Sequence, residues 1–125
     1  MMSLNQYSKH TAKSKIIKLG ITTPELVDSF LNSLDNFKNK RIYTSYVQRK
    51  FSISKQDSRK IISILVDSDI LITVFQIKIR DKTFPKEYTT FSEIPDFIFD
   101  DDLYADLKVD LTKDVFVFFK VNKNE

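Results

Sequence analysis

YTSYVQRKFSISKQDSRKIISILVDSDILITVFQIKI, running from Tyr43 to Ile79, decides the fold. It reads as a short helix, a tight turn, a second helix and a long strand. Ser54 followed three residues later by Asp57 is an approximate capping box, with Asp where Glu or Gln is usual. The Ser54 hydroxyl can accept an orphan N–H of the first turn. On a 3.6-residue wheel Ser58, Ile61, Ile62, Leu65 and Val66 share one face, and Gln56, Asp57, Lys60, Ser63 and Asp67 lie opposite. Lys55 and Arg59, four apart, sit beside the buried face near the helix start, while Ile64 falls on the outward side. In the preceding helix Thr44 or Ser45 is the expected cap. Tyr46, Val47 and Phe51 form its apolar side, and Arg49 and Lys50 point away. Ser52-Ile53 make the turn, with Ile53 filling the core between the helices. From Ile70 to Ile79, β-branched enrichment and alternation near the end specify a strand.

Upstream, Thr22-Thr23-Pro24-Glu25 is a helix start, with a Thr cap, an early Pro and Glu in the first turn. Leu26, Val27, Phe30, Leu31, Leu34 and Phe37 follow at helical spacing and predict a third bundle helix. Asn36 to Arg41 interrupts it with a basic loop carrying Lys38, Lys40 and Arg41. Residues 1–20 lack a clean period and hold Lys9, His10, Lys13, Lys15 and Lys18. They read as a basic arm, either mobile or docked through Ile16, Ile17 and Leu19.

Downstream, Arg80 to Lys86 turns the chain and Glu87 to Phe91 returns as a strand. That places Arg80, Lys82 and Lys86 at the tip of a hairpin. Residues 92–125 form an acidic, Phe-rich β extension ending in the strand Val115–Val121. The expected organisation is thus an arm at 1–20, a helical and hairpin domain at 21–91, and the extension at 92–125.

The charge is divided along the chain. Residues 1–60 carry twelve Lys and Arg against four acids, net +8; residues 61–125 carry eight against thirteen, net −5. A basic half that holds the paired helices is the electrostatic footprint of a nucleic-acid binder. The plainer reading of the same residues is a solvated helical hairpin.

Composition excludes several classes. A single Gly leaves no Gly-rich phosphate loop. Without cysteine there is no disulfide, thiolate metal site or Cys nucleophile, and His10 has no partner for a triad or a metal. Asp100, Asp101, Asp102 and Asp106 lack the Gly and terminal Glu of a Ca²⁺ loop and read as a solvated turn or cap. No catalytic constellation, cofactor or metal is expected. No secretory pattern opens the chain and no apolar run approaches a membrane span, so a cytoplasmic location is expected.

Ser54-Lys55-Gln56-Asp57-Ser58-Arg59-Lys60-Ile61-Ile62, then Leu65, then Asp69-Ile70-Leu71, resembles the recognition helix of winged helix-turn-helix regulators of the GntR type. That pattern runs Ser-Arg-x-Thr-Val-Arg-x-Ala-Leu, then Leu, then Gly-Leu-Ile. Asp57 departs from it where a small polar residue is usual, and Asp69 replaces the Gly, although Asp tolerates left-handed backbone. The resemblance implies an α+β winged helix, a three-helix bundle with a β-hairpin wing, here followed by the C-terminal β extension. It implies a transcriptional regulator that binds double-stranded DNA as a homodimer. Lys55, Gln56, Arg59 and Lys60 would face the major groove. Thr44, Ser45, Arg49 and Lys50 would hold phosphates, and Arg80, Lys82 and Lys86 would form the wing contact. The tail, with its Glu93-Ile94-Pro95 link and final strand, resembles a zinc-ribbon-like β unit without its cysteines. The alternative is a non-enzymatic adaptor whose 92–125 tail docks a protein partner.

Overall fold

A computed structural model describes residues 4–37 and 40–122. Four α-helices come first: α1 (Leu4–Lys18), α2 (Pro24–Ser33), α3 (Thr44–Phe51) and α4 (Lys55–Asp67). The strands follow: β1 (Leu71–Ile79), β2 (Lys82–Tyr88), β3 (Phe97–Asp100), β4 (Ala105–Lys108) and β5 (Val115–Val121). The class is therefore α+β. One sheet has the order β2-β1-β5, and β3 and β4 form a separate antiparallel pair. The chain divides into two compact units, a helical one of residues 1–72 with 119–125 and a strand unit of residues 73–118. It passes between them within β1 and again within β5. The segments read from sequence divide elsewhere, at residues 20 and 91.

In the helical unit, the stretch expected as a basic arm is helical over Leu4–Lys18. Ala12 and Ile16, four apart, are fully buried, which ties α1 to the core. Its charged side forms surface pairs, Lys13 Nζ 2.8 Å from Asp28 and Lys9 Nζ 3.7 Å from Asp35. Gly20, the only glycine of the chain, follows α1 at φ +70°, and its N–H donates to the Ile17 carbonyl at 3.0 Å. Thr23 caps α2 as its sequence demands, its Oγ1 accepting the Leu26 N–H at 3.3 Å. Val27, Phe30, Leu31 and Leu34 are buried, whereas Leu26, expected with them, is exposed in the first turn.

The paired helices α3 and α4 rest on the same core. Phe30 meets Phe51 at 5.2 Å and Tyr46 at 6.2 Å between ring centroids, and Phe37 meets Tyr46 at 5.0 Å. Each fully buried side chain of this kind contributes about 1.5–3 kcal/mol of transfer free energy. The α3 cap is Tyr43, with no side-chain capping bond; Thr44 already lies inside the helix, so neither Thr44 nor Ser45 fills the expected role. Ser52 ends α3 in the left-handed region (φ 54°, ψ 49°) and donates its N–H to the Gln48 carbonyl. Ile53 is half-buried against the core. Ser54 then caps α4, accepting the Asp57 N–H at 3.0 Å. Ser58, Ile61, Ile62 and Leu65 face inward; Val66 is only half-buried, and Ile64 packs from the side.

Asp69 adopts φ 60° after α4, as an Asp in a glycine position can. Near the end of the chain, Asn122 donates its backbone N–H to Ile70 O (2.8 Å) and its side-chain amide to Asp69 O (3.0 Å). Ile42, just before α3, bridges Phe119 through reciprocal N–H···O bonds of 2.7 and 2.8 Å.

The strand unit has its own core of Ile77, Phe84, Tyr88, Ile94 and Val109. The β1–β2 turn is two residues, Arg80-Asp81, and not the seven expected over Arg80–Lys86, since Ile79 already pairs with Lys82. Arg80 takes φ 56° to close it. Gln76 pairs with Glu87 and Lys78 with Thr83, so Phe84, Pro85 and Lys86 bulge opposite Ile77. A bulge is where a strand tolerates Pro, which has no N–H for the ladder. The buried Gln76 amide donates to Phe84 O at 3.0 Å and reaches Pro85 O at 3.4 Å, recovering carbonyls the bulge frees. At the other end Asp110 Oδ1 accepts the Thr112 N–H and Oγ1 at 2.9 and 2.6 Å, which lowers its pKa, hydroxyl donation first.

Candidate nucleic-acid interface

Helix α4 buries one face and leaves the first two turns of the other in solvent. Lys55, Gln56, Arg59 and Lys60 are all exposed there. The reason is local. Ser58 is fully buried and its Oγ donates to Lys55 O at 2.7 Å, so Ser58, Ile61 and Ile62 fix the rotation that turns Lys55 and Arg59 outward. The N-terminus of a helix also presents positive dipole, which favours anions. One negative group stands among these cations. Asp57 Oδ1 lies 3.7 Å from Lys60 Nζ and partly offsets it. On α3 Ser45 and Arg49 are exposed, and Thr44 and Lys50 half-buried. The helical unit therefore carries all eight helix positions expected from sequence. It holds fourteen Lys and Arg against seven Asp and Glu, net +7. Lys38 lies outside the described residues; Lys40 and Arg41 are exposed.

Arg80, Lys82 and Lys86 belong to the strand unit. Arg80 is exposed at the turn. Lys86 is exposed in β2 with its Nζ 5.4 Å from the Tyr88 ring centroid. Lys82 differs from its expected place: it is the first residue of β2, and its ammonium is held by Asp100 Oδ1 at 2.6 Å, Asp101 Oδ1 at 2.9 Å and Asp102 Oδ2 at 3.0 Å. Those bonds raise the Lys82 pKa, Asp100 contributing most, and hold the carboxyls of Asp100 and Asp101 below their usual range. Three acids surround one ammonium, so Lys82 has no charge to spare for a phosphate.

The three Asp oxygens lie within 4.8 Å of one another, the spacing of a metal site, but the Lys82 ammonium stands among them. Asp101 and Asp102 lie in an exposed turn, as their sequence suggested, whereas Asp100 is buried at the end of β3 and accepts the Asp102 N–H at 3.0 Å. Sequence reasoning missed this cluster because its lysine and its acids are eighteen to twenty residues apart.

Among the described residues no helix is long and apolar enough to cross a membrane. The chain matches no family model, no curated protein and no solved structure.

Proposed function

We propose that the helical unit is the helix-turn-helix half of a winged-helix domain and that it binds double-stranded DNA, as a transcriptional regulator does. The observation that carries this reading is the rotation of α4, which buries Ser58, Ile61, Ile62 and Leu65 and exposes Lys55, Gln56, Arg59 and Lys60 at its start. The left-handed Ser52 and the three-residue link to α4 suit a helix-turn-helix, and a β-hairpin follows in the chain. In this reading α4 enters the major groove, where Lys55, Gln56 and Arg59 reach base edges. Ser45, Arg49 and Lys50 hold phosphates, which supply position and most of the affinity. Arg80 and Lys86 serve the wing contact without Lys82. A homodimer reads two half-sites.

Binding to a duplex at 50 and 200 mM salt, beside Lys55/Arg59/Lys60→Ala, tests the proposal. With six or more phosphate contacts the affinity falls about 10³-fold between the two conditions. The triple variant, folded by circular dichroism, loses binding at both. A folded protein that ignores DNA at low salt sinks the reading and moves the function to protein docking.

A further inference from the structure

Four large apolar side chains stand in solvent within one short stretch of the strand unit: Phe97 (58 % exposed), Phe99 (52 %), Leu103 (57 %) and Tyr104 (79 %). This is not fraying. Strand β3 alternates, with Ile98 packed on the core and Asp100 buried, so Phe97 and Phe99 share the outer face. Across the pair, Phe97 faces Lys108 and Phe99 faces Asp106. Tyr104 meets Phe99 edge-on, 5.5 Å between centroids at 81°. It takes φ 52° to do so, a conformation bulky residues rarely adopt. Folded domains seldom leave such a patch bare without a use for it.

The charge around the patch selects the occupant. Residues 96–108 carry five acids, Asp96, Asp100, Asp101, Asp102 and Asp106, against Lys108 and the bound Lys82, net −3. Phosphate-bearing partners, nucleic acid or anionic membrane alike, are repelled. Aromatic faces ringed by carboxylates suit arginine, whose planar guanidinium stacks on rings and bonds carboxylates through paired donors.

We propose that the outer face of β3–β4, with Tyr104, docks an arginine-bearing basic segment of a partner protein. Phe97, Phe99 and Tyr104 supply the stacking surface, while Asp106 and the carboxylate oxygens of Asp101 and Asp102 that Lys82 does not hold supply the acceptors. Aromatic and arginine pairs of this kind concentrate binding energy in interfaces.

The test is fluorescence anisotropy of the full chain with a labelled peptide alternating arginine and leucine. The control peptide has glutamate in place of each arginine. The expected result is saturable binding of the arginine peptide alone, weakened by salt and reduced about tenfold or more by Phe97→Ser/Phe99→Ser. These positions are exposed, so circular dichroism and thermal unfolding of the variant should match the parent; Asp106→Lys, also on the surface, provides a second loss. Absence of saturation, equal binding of the two peptides, or binding by either variant as tight as the parent's overturns the proposal. So does self-association of the parent that vanishes in the Phe variant, since the occupant would then be a second copy of the chain.

Discussion

Lys82 Nζ lies 2.6 Å from Asp100 Oδ1, joining the start of β2 to the end of β3 across eighteen residues of chain. Asp101 and Asp102 close on the same ammonium, and Asp100 itself is buried. The pairing sets how stability depends on acid. The Lys82 ammonium holds the carboxyls of Asp100 and Asp101 below their usual range, so they add stability that is fully present above the unfolded carboxylate range. It is lost as pH falls below about 4, through the depressed folded values. The lysine, raised rather than lowered, stays charged throughout. Melting temperature should therefore be flat in this respect from pH 7 to about 5 and then drop. In Lys82→Met three uncompensated acids raise one another's pKa, and the slope reverses: acid should relieve that variant. Thermal melts across this range decide it.

Four residues other than glycine have positive φ: Ser52, Asp69, Arg80 and Tyr104 among the described residues. A chain with one glycine must place other residues where turns require left-handed backbone. For an L-residue this costs about 1–2 kcal/mol, less for Asp. Ser52→Gly keeps the cap bond to Gln48 and removes the steric cost, at some loss of unfolded-chain restriction. It should raise stability by about 0.5–1 kcal/mol. Urea denaturation measures this; a destabilised glycine variant would mean that the Ser52 side chain contributes more than the backbone demands.

The caps divide the two paired helices. Ser54→Ala removes the acceptor of the Asp57 N–H and should cost about 1 kcal/mol. Thr44→Ala and Ser45→Ala should each stay within about 0.5 kcal/mol, because Tyr43 occupies the cap position of α3. Equal losses at all three would contradict the assigned helix starts.

Such local features were legible in the sequence because neighbours within four residues determine them. Thr23 with Pro24, Ser54 with Asp57, and the inward face at Ser58, Ile61, Ile62 and Leu65 all appear as read. With that face fixed, Lys55, Gln56, Arg59 and Lys60 had to point outward. Ile16 and Ile17 pack on the core, as the docked alternative for this stretch had it, while Leu19 stays exposed; Ala12 gave no signal, and so few apolar contacts in a basic helix make no periodic stripe. The two-residue turn was hidden because its left-handed position is an arginine and not a glycine. Lys82 was misplaced for the same reason: a shorter turn moves it into the strand, and its acids arrive from a distant segment. The exposure of Phe97 and Phe99 depends on which face of β3 finds the core, a tertiary matter that alternation alone leaves open.

Gln76 shows how the bulge is held. Its amide is 2 % exposed and donates to the Phe84 carbonyl at 3.0 Å. Gln76→Met fills nearly the same volume but leaves that carbonyl short of a donor, at a cost of about 1–3 kcal/mol. Gln76→Glu should cost more, because a buried carboxylate would face carbonyl oxygens. Chemical denaturation ranks them, parent above Met above Glu; a Met variant as stable as the parent would show that the bulge needs no side-chain donor.

Asp57 separates the DNA reading from the docking reading at a single position. It lies in the first turn of α4, its N–H bound by Ser54 and its Oδ1 3.7 Å from Lys60 Nζ. A carboxylate at a helix N-terminus favours the helix, so Asp57→Asn should cost about 0.5 kcal/mol of stability. Against a phosphate backbone the same carboxylate is unfavourable, and it holds Lys60 back. If α4 faces DNA, the Asn variant should bind a random-sequence duplex several-fold more tightly at low salt. The slope of log affinity against log salt should steepen by about 0.9, one further phosphate neutralised. Lower stability with higher affinity is the signature, and no general loss of folding can imitate it. An unchanged affinity and slope would place the start of α4 away from phosphate, whatever the rest of the basic unit does.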